Sequence, residues 1–448
     1  MDKFNGVASW YIVIRRVVGG HYASTDDKRA WRSWALYDWA NSAFATTVMA
    51  GFFPLFFKAY WANPSNLSES TYILGLSNSI GSIVVAALAP FLGAIADKAG
   101  AKKKFLALFA FLGIVMTGGL WMVQQGQWLM AVLVYAVAAI GFSSSNLFYD
   151  SLLPAIASKE KVDYVSTLGF AWGYIGGGLL FLLNVVMYLQ PELFGIPDGA
   201  TAIRISFLTV AIWWGVFSIP VFVFVKEPRI HESVGTLEAI SSGWKQLRTT
   251  ISDIAHLKVV GMFLLAYWFY IDGVDTIVRM AVSYGTDLGF DSSALITALL
   301  LVQFVAFPAA LLYYRFANRV GVKPAIMYAI GGYALITFLA YFMNATWHFY
   351  ILAVMIALFQ GGIQALSRSL YTRIIPTERS AEFFGFYNMF GKFAAVIGPF
   401  LMGYVTLMYD NPRFGILSVL VLFVLGAFFL AKVDVTKGEQ LANDYLAN

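Results

Sequence analysis

Twelve stretches of nearly uninterrupted apolar sequence leave this chain very few folds to adopt. They cover residues 34–60, 71–96, 105–124, 128–156, 164–189, 204–225, 258–285, 292–316, 325–343, 348–374, 382–408 and 414–432. Crossing the hydrocarbon of a bilayer takes about 20 residues of helix. A backbone in lipid must also satisfy its own hydrogen bonds, which leaves helices or closed barrels. Barrel strands alternate in polarity, and these runs do not, so all twelve are expected to be helices. The chain is 59% hydrophobic and only 12% charged, about half the charge with which a soluble protein covers its surface.

Lysine and arginine then set the expected orientation. Alternate connections hold Arg29 and Arg32, Lys98 and Lys102 to Lys104, Lys159 and Lys161, Lys226 to Arg248, Arg319 and Lys323, Arg373 and Arg379, and Lys432 and Lys437. The intervening connections hold only Lys58, Arg204 and Arg413. By the positive-inside rule the basic set and both termini are cytoplasmic. The net charge of +5 is therefore read as topology and gives no reason to expect a nucleic-acid partner.

A short basic loop occurs twice. Asp97-Lys98-Ala99-Gly100-Ala101-Lys102 and Asn318-Arg319-Val320-Gly321-Val322-Lys323 lie 221 residues apart in a chain of 448, which implies two similar halves. The expected organisation is a cytoplasmic tail (1–30), a six-helix bundle (31–225), a cytoplasmic linker (226–257), a second bundle (258–434) and a cytoplasmic C-terminal tail (435–448). In the tail, the apolar run Val7 to Ile14 is too short for a secretory signal. In the linker, Ile240, Trp244, Leu247, Ile251 and Ile254 recur at helical spacing beside Lys245 and Arg248. That pattern suits an amphipathic helix on the membrane face, with an unstructured tether as the alternative.

The stretch Gly93-Ala94-Ile95-Ala96-Asp97-Lys98-Ala99-Gly100-Ala101-Lys102-Lys103 resembles the loop between helices two and three of the major facilitator superfamily. Three further stretches resemble one branch, the autophagy-related vacuole effluxers and their bacterial relatives: Trp34-Ala35-Leu36-Tyr37-Asp38-Trp39-Ala40-Asn41-Ser42, Gly169-Phe170-Ala171-Trp172-Gly173-Tyr174-Ile175-Gly176-Gly177 and Gln364-Ala365-Leu366-Ser367-Arg368-Ser369. The resemblance implies two six-helix bundles around a central cavity lined by helices one, four, seven and ten, alternating-access transport, and export of amino acids as in the fungal members. It also implies that Gly93, Asp97 and Gly100, with Asn318 in the second copy, control contacts between the halves.

Charges inside the apolar runs point to the same helices independently. A charge at mid-helix costs roughly 2.5–3.5 kcal/mol on insertion scales, so each needs a partner or a wet cavity. Asp272, Asp275 and Arg279 share one face of helix seven, Gln360, Gln364 and Arg368 follow by fours in helix ten, and Asn146 and Asp150 do so in helix four. Asp38, Asn41 and Ser42 share a face of helix one, and Lys392 and Asn388 lie in helix eleven. Expected substrate contacts are Asp272, Asp275, Arg279, Lys392, Asn388, Gln360, Gln364 and Asn41, with acids for an ammonium group and bases for a carboxylate. Asp272 or Asp38 is the candidate carrier of a coupling proton or other ion. Asp150 and Arg368 are candidate gate residues. Two bland readings stand beside these: Asp275 and Arg279 neutralise one another, and Asp38 and Asp150 serve structure alone. An aromatic cage around Trp268 and Tyr270 is a further candidate.

Gly169, Gly173 and Gly177 recur every fourth residue and should let helix five approach a neighbour closely. The chain has no cysteine and four scattered histidines, so no disulfide, metal centre or other cofactor is expected. The motifs HExxH, GxSxG and the Walker loop are absent, which argues against an enzyme. The expected function is secondary active transport of a small polar or zwitterionic solute, an amino acid or similar, by a functional monomer in the cell inner membrane. A transporter-fold sensor or scaffold without flux is the alternative.

Overall fold

In a computed structural model the described residues, 26–61, 67–227 and 258–445, form helices and no strand. Among the described residues, twelve helices are long and apolar enough to cross a membrane. They are α1 (Lys28–Trp61), α2 (Leu67–Ala99), α3 (Lys102–Met122), α4 (Trp128–Ile156), α5 (Val162–Leu189) and α6 (Gly199–Phe224), then α7 (Lys258–Asp287), α8 (Ser292–Val320), α9 (Val322–Ala340), α10 (Thr346–Ile374), α11 (Ser380–Tyr409) and α12 (Pro412–Ala431). The fold is all-α, as the apolar runs demand. The first 25 residues and the linker expected to carry an amphipathic helix lie outside the described residues. One departure is local: α1 winds as π-helix over Phe44–Phe52 and Phe57–Trp61.

Two separate apolar cores divide the helices. One is built almost wholly from residues between Ala30 and Val225, the other from residues between Val259 and Val433. The pairing within each is the same. α1 packs on α5 and α6, and α7 on α11 and α12; α3 packs on α4 and α6, and α9 on α10 and α12. The bundles meet through α2 on α11 and its counterpart α8 on α5, and through α4 on α11 and its counterpart α10 on α5. The repeat in sequence is thus a repeat in packing. α3, α6, α9 and α12 carry stripes of exposed apolar side chains, among them Phe111, Val216, Phe338 and Val424. Exposed apolar area on that scale belongs against lipid, and the chain is a multi-pass membrane protein.

Among the described residues, contacts of Lys102 with Glu227, Lys159 with Asn443, Arg373 with Asp163 and Glu439, and Lys323 with Val433 gather the basic loops at one end of the molecule, here termed the basic end. Each bundle is stapled there by a lysine. Lys103, in the first turn of α3, donates from Nζ to the carbonyls of Phe222 and Val225 (2.8 and 2.6 Å), beyond which α6 stops. Lys323, in the first turn of α9, donates to Ala431 and Val433 (2.8 and 2.7 Å) at the end of α12. Carbonyls of a helix's last turn lack helical partners, and a cation there also opposes the helix dipole. Lys103→Met or Lys323→Met should cost about 1–2 kcal/mol, at the low end for bonds to a charged group because both lysines are partly solvated. Thermal melting of the purified variants checks this, and unchanged melting in both would refute the staple.

Beyond α12 the chain turns into a short helix, α13 (Val435–Tyr445), where the sequence suggested only a tail. Val435 and Leu441 pack on the second core and Ala442 is buried. Its Asn443 receives a hydrogen bond from Lys159 of the first bundle (2.9 Å). The last helix therefore touches both halves.

Candidate functional site at the bundle interface

Near the basic end the interface is polar, and one arginine organises it. Arg368 of α10 is 3% exposed and projects into the first bundle. Its Nε donates to Ser166 Oγ (2.9 Å), Nη2 to the Ser166 carbonyl (2.8 Å) and Nη1 to Asp150 Oδ1 (2.9 Å). Asp38 stands farther off, its Oδ2 3.7 Å from Nη1, and accepts the Tyr149 hydroxyl at 3.0 Å. The guanidinium lies near the rings of Phe170 and Trp34, 4.2 and 4.7 Å from their centroids. A planar fork with three donors engaged and aromatic rings beside it is a site for arginine in particular. Ser166 adds a second tie by donating to the Ala365 carbonyl (2.8 Å).

The α2–α3 loop makes a second closure. Asp97 crosses to α11 and accepts the backbone N–H groups of Ala381 and Glu382 (3.2 and 2.7 Å), two donors of that helix's first turn. Such donors are otherwise orphaned, so one bundle caps a helix of the other. Lys102 holds Asp97 at 2.9 Å and donates to Ser380 (2.7 Å), whose hydroxyl donates to the Ser151 carbonyl. Gly93 lets α2 approach so closely that a Cβ there would strike the Ala381 backbone. Gly100 turns the chain at φ 57°. Arg373 of α10 adds an ion pair to Asp163 of α5 (2.5 Å) and lies 3.6 Å from Glu439 of α13.

Above this seal lies a cavity of about 390 Å³. α10 lines its length with Phe349, Leu352, Ile356, Gln360 and Gln364. Those 15 residue steps span about 22 Å at the helical rise. The stripe passes from apolar to amide and ends below the floor at Arg368. The floor on the first bundle is polar: Asp38, Asn41 and Asn146, with Asn41 Nδ2 donating to Asn146 Oδ1 at 2.5 Å. Tyr174 spans the halves there, its hydroxyl donating to Gln364 (2.8 Å). Gly169, Gly173 and Gly177 make room for this arrangement by seating α5 against Asp38, Ser42 and Thr46 of α1.

Among the expected site residues, Asp38, Asn41, Gln360 and Gln364 are part of the cavity wall. Asp272, Asp275, Arg279, Lys392 and Asn388 are not. Asp272 is fully buried and faces α11, where its carboxylate accepts the Gly398 N–H at 2.9 and 3.1 Å. The buried acid thus serves a backbone donor of α11. Asp275 and Arg279 pair with one another at 3.6 Å, and Lys392 has both as electrostatic neighbours. Asn388 donates back to the Phe384 carbonyl of its own helix. Asn318 is exposed at the end of α8, so the second copy of the loop shows none of the capping that Asp97 performs. Tyr270 is buried within the second bundle and bonds Ser367; the aromatic enclosure forms instead around Arg368. Sequence reasoning missed Tyr149, Ser166 and the Asp163–Arg373 pair. Of these, Asp163 and Arg373 left a signal, as charges in the first and last turns of neighbouring apolar runs.

A profile of the family described as "Vacuole effluxer Atg22 like" matches residues 63–443. An uncharacterized MFS-type transporter of Bacillus subtilis, YxiO, is 40% identical over 424 residues, covering 92% of this chain and 97% of that protein. Autophagy-related protein 22 of Yarrowia lipolytica is 26% identical over 65% of this chain and 54% of its own length. In fold, the human organic anion transporter MFSD10 superposes with a TM-score of 0.69 at 13% identity, over 90% of this chain and 99% of that one. With the family profile spanning most of the sequence, two matched six-helix bundles and a cavity between them, the chain belongs to the Atg22-like family of major facilitator transporters.

Proposed function

We propose that this protein is a secondary transporter that moves a small solute bearing an amino group, an amino acid or similar, by alternating access. The observation that carries the reading is the polar seal around Arg368 and Asp97 at one end of a cavity that runs toward the other. A transporter needs such a seal to be made of contacts that can be exchanged, and salt bridges and helix caps between two rigid bundles meet that need. With the basic end in the cytoplasm of a bacterial cell, the conformation described here is sealed inward, and the plasma membrane is the proposed location. The vacuole effluxer name of the family supports efflux of amino acids as the direction and cargo. Asp38, the carboxylate on the cavity wall, is the proposed carrier of a coupling proton or other ion.

Reconstitution into liposomes tests the reading. The expected result is saturable counterflow of radiolabelled amino acids or their amine derivatives, above that of protein-free vesicles. Ligand-induced thermal stabilisation without flux of any of these solutes would overturn it in favour of a sensor.

A further inference from the structure

We infer that Tyr174 receives the carboxylate of the cargo and passes its arrival to the seal. The carboxylate takes the Tyr174 hydroxyl from Gln364, which breaks a tie between the bundles one helical turn above Arg368. The inference rests on the transporter reading and assigns one group of its amino-acid cargo to one side chain.

Tyr174 belongs to α5 of the first bundle, but its ring is seated in the second. It is 9% exposed and packs with Ala306 of α8 and Ala357 of α10 in a small apolar cluster apart from the two main cores. Gly361 of α10 completes the socket, since a Cβ there would stand 3.1 Å from the Tyr174 ring. Small residues thus admit one large ring, and the hydroxyl at its tip donates to Gln364 Oε1 at 2.8 Å. Gln364 precedes Arg368 by four residues, so the two share a face of α10. Phe170, whose ring lies 4.2 Å from the Arg368 guanidinium, packs against the same cluster as Tyr174. The tie and the seal are therefore in mechanical contact. Tyr174 and Gln364 line the cavity, however, while Arg368 does not.

The tie is of a kind that cargo can exchange. A hydroxyl bonded to an ionised acceptor makes a bond about twice as strong as one to a neutral acceptor. A carboxylate that reaches Tyr174 therefore displaces the amide oxygen of Gln364. No lysine or arginine is among the described lining residues, so a carboxylate meets neutral donors on this wall. A zwitterion tolerates that, because its ammonium group supplies the counter-charge within the same molecule. Val302, Leu352 and Ile356 of the same wall suit a probe with an aliphatic side chain.

L-leucine and L-leucinamide test the inference, because the second replaces the carboxylate by a neutral amide. Both are titrated against the purified full-length protein and against Tyr174→Phe, which keeps the ring and deletes the hydroxyl. The variant should bind L-leucine at least about fivefold more weakly, having lost a charge-assisted bond, with L-leucinamide much less affected. Gln364→Met removes the competing acceptor and should bind L-leucine about threefold tighter, the effect of one neutral bond no longer broken. Accessibility reads the second half of the inference. Ala365→Cys is a reporter buried in the seal, to be labelled by a membrane-impermeant maleimide from the basic side. L-leucine should speed its labelling at least about threefold and L-leucinamide should not, since only the carboxylate displaces Gln364. Without ligand, Tyr174→Phe and Gln364→Met should each label faster than the parent protein, and melting curves report whether each is folded. No binding of L-leucine, equal weakening of both ligands by Tyr174→Phe, or labelling of both variants at the parent rate overturns the inference. Flux in liposomes separates the two readings. L-leucine flux that Tyr174→Phe leaves intact would sink the Tyr174 assignment alone, and L-leucine-dependent labelling with no flux of any solute would sink transport alone.

Discussion

Arg368→Ala should open the basic end. The substitution leaves Asp150 buried without its cation and removes both donors to Ser166. Breaking a buried ion pair by deleting one partner costs about 3–5 kcal/mol, and the cost falls on the sealed conformation in which the pair exists. A cost of that size exceeds a hundredfold in the balance between conformations, at 1.4 kcal/mol per factor of ten. The chain has no cysteine, so a single reporter is easily introduced. Ala365→Cys places a thiol at a position that is inaccessible in the seal. A membrane-impermeant maleimide added from the basic side should label it at least about tenfold faster when Arg368 is alanine. Arg368→Lys should restore little, because an ammonium group cannot reproduce the fork and its stacking. Labelling at the same rate in all three proteins would remove Arg368 from the seal.

Gly93→Val should act on the same equilibrium through volume. The nearest atoms to an added side chain are the backbone of Ala381 and Glu382 on α11, which cannot rotate aside as a side chain can. Across the same interface, Gly385 of α11 lies against the backbone of Ala89 and Pro90, so the two helices are in backbone contact from both sides. Overpacking of a tight contact typically costs about 1–3 kcal/mol, and here separation of α2 from α11 relieves it. The variant should transport at less than about a tenth of the wild-type rate and expose the Ala365→Cys reporter. Gly331→Ala is the control, since nothing lies near its added methyl group. A fully active Gly93→Val protein would show that the close approach of α2 and α11 is dispensable.

Much of this architecture could be read from sequence because lipid imposes simple rules. Span length, loop charge and the recurrence of the Asp97 loop each follow from one constraint, and none depends on tertiary detail. Asp38, Asp150 and Arg368 were legible for the same reason, as charges too costly to strand in an apolar run. Asp272 could be assigned to a face but not to a partner, because spacing does not reveal the neighbour that the face meets. Helix α7 turns Asp272 toward the N–H of Gly398, a contact between helices that spacing along α7 cannot show. The Asn318 loop misled differently: repetition of a sequence motif does not guarantee repetition of its contact once the acid is replaced. Ser166 and Tyr149 left no signal, since a hydroxyl between helices is unremarkable until its partner is known.

The terminal helix α13 has a consequence for the energetics of switching. Arg373 faces Asp163 across the interface and Glu439 within its own bundle. When the bundles part, Asp163 departs with the first and Glu439 travels with the second. In the proposed transport cycle the guanidinium would thus keep a counter-charge, and the spare carboxylate on α13 would lower the barrier to unsealing.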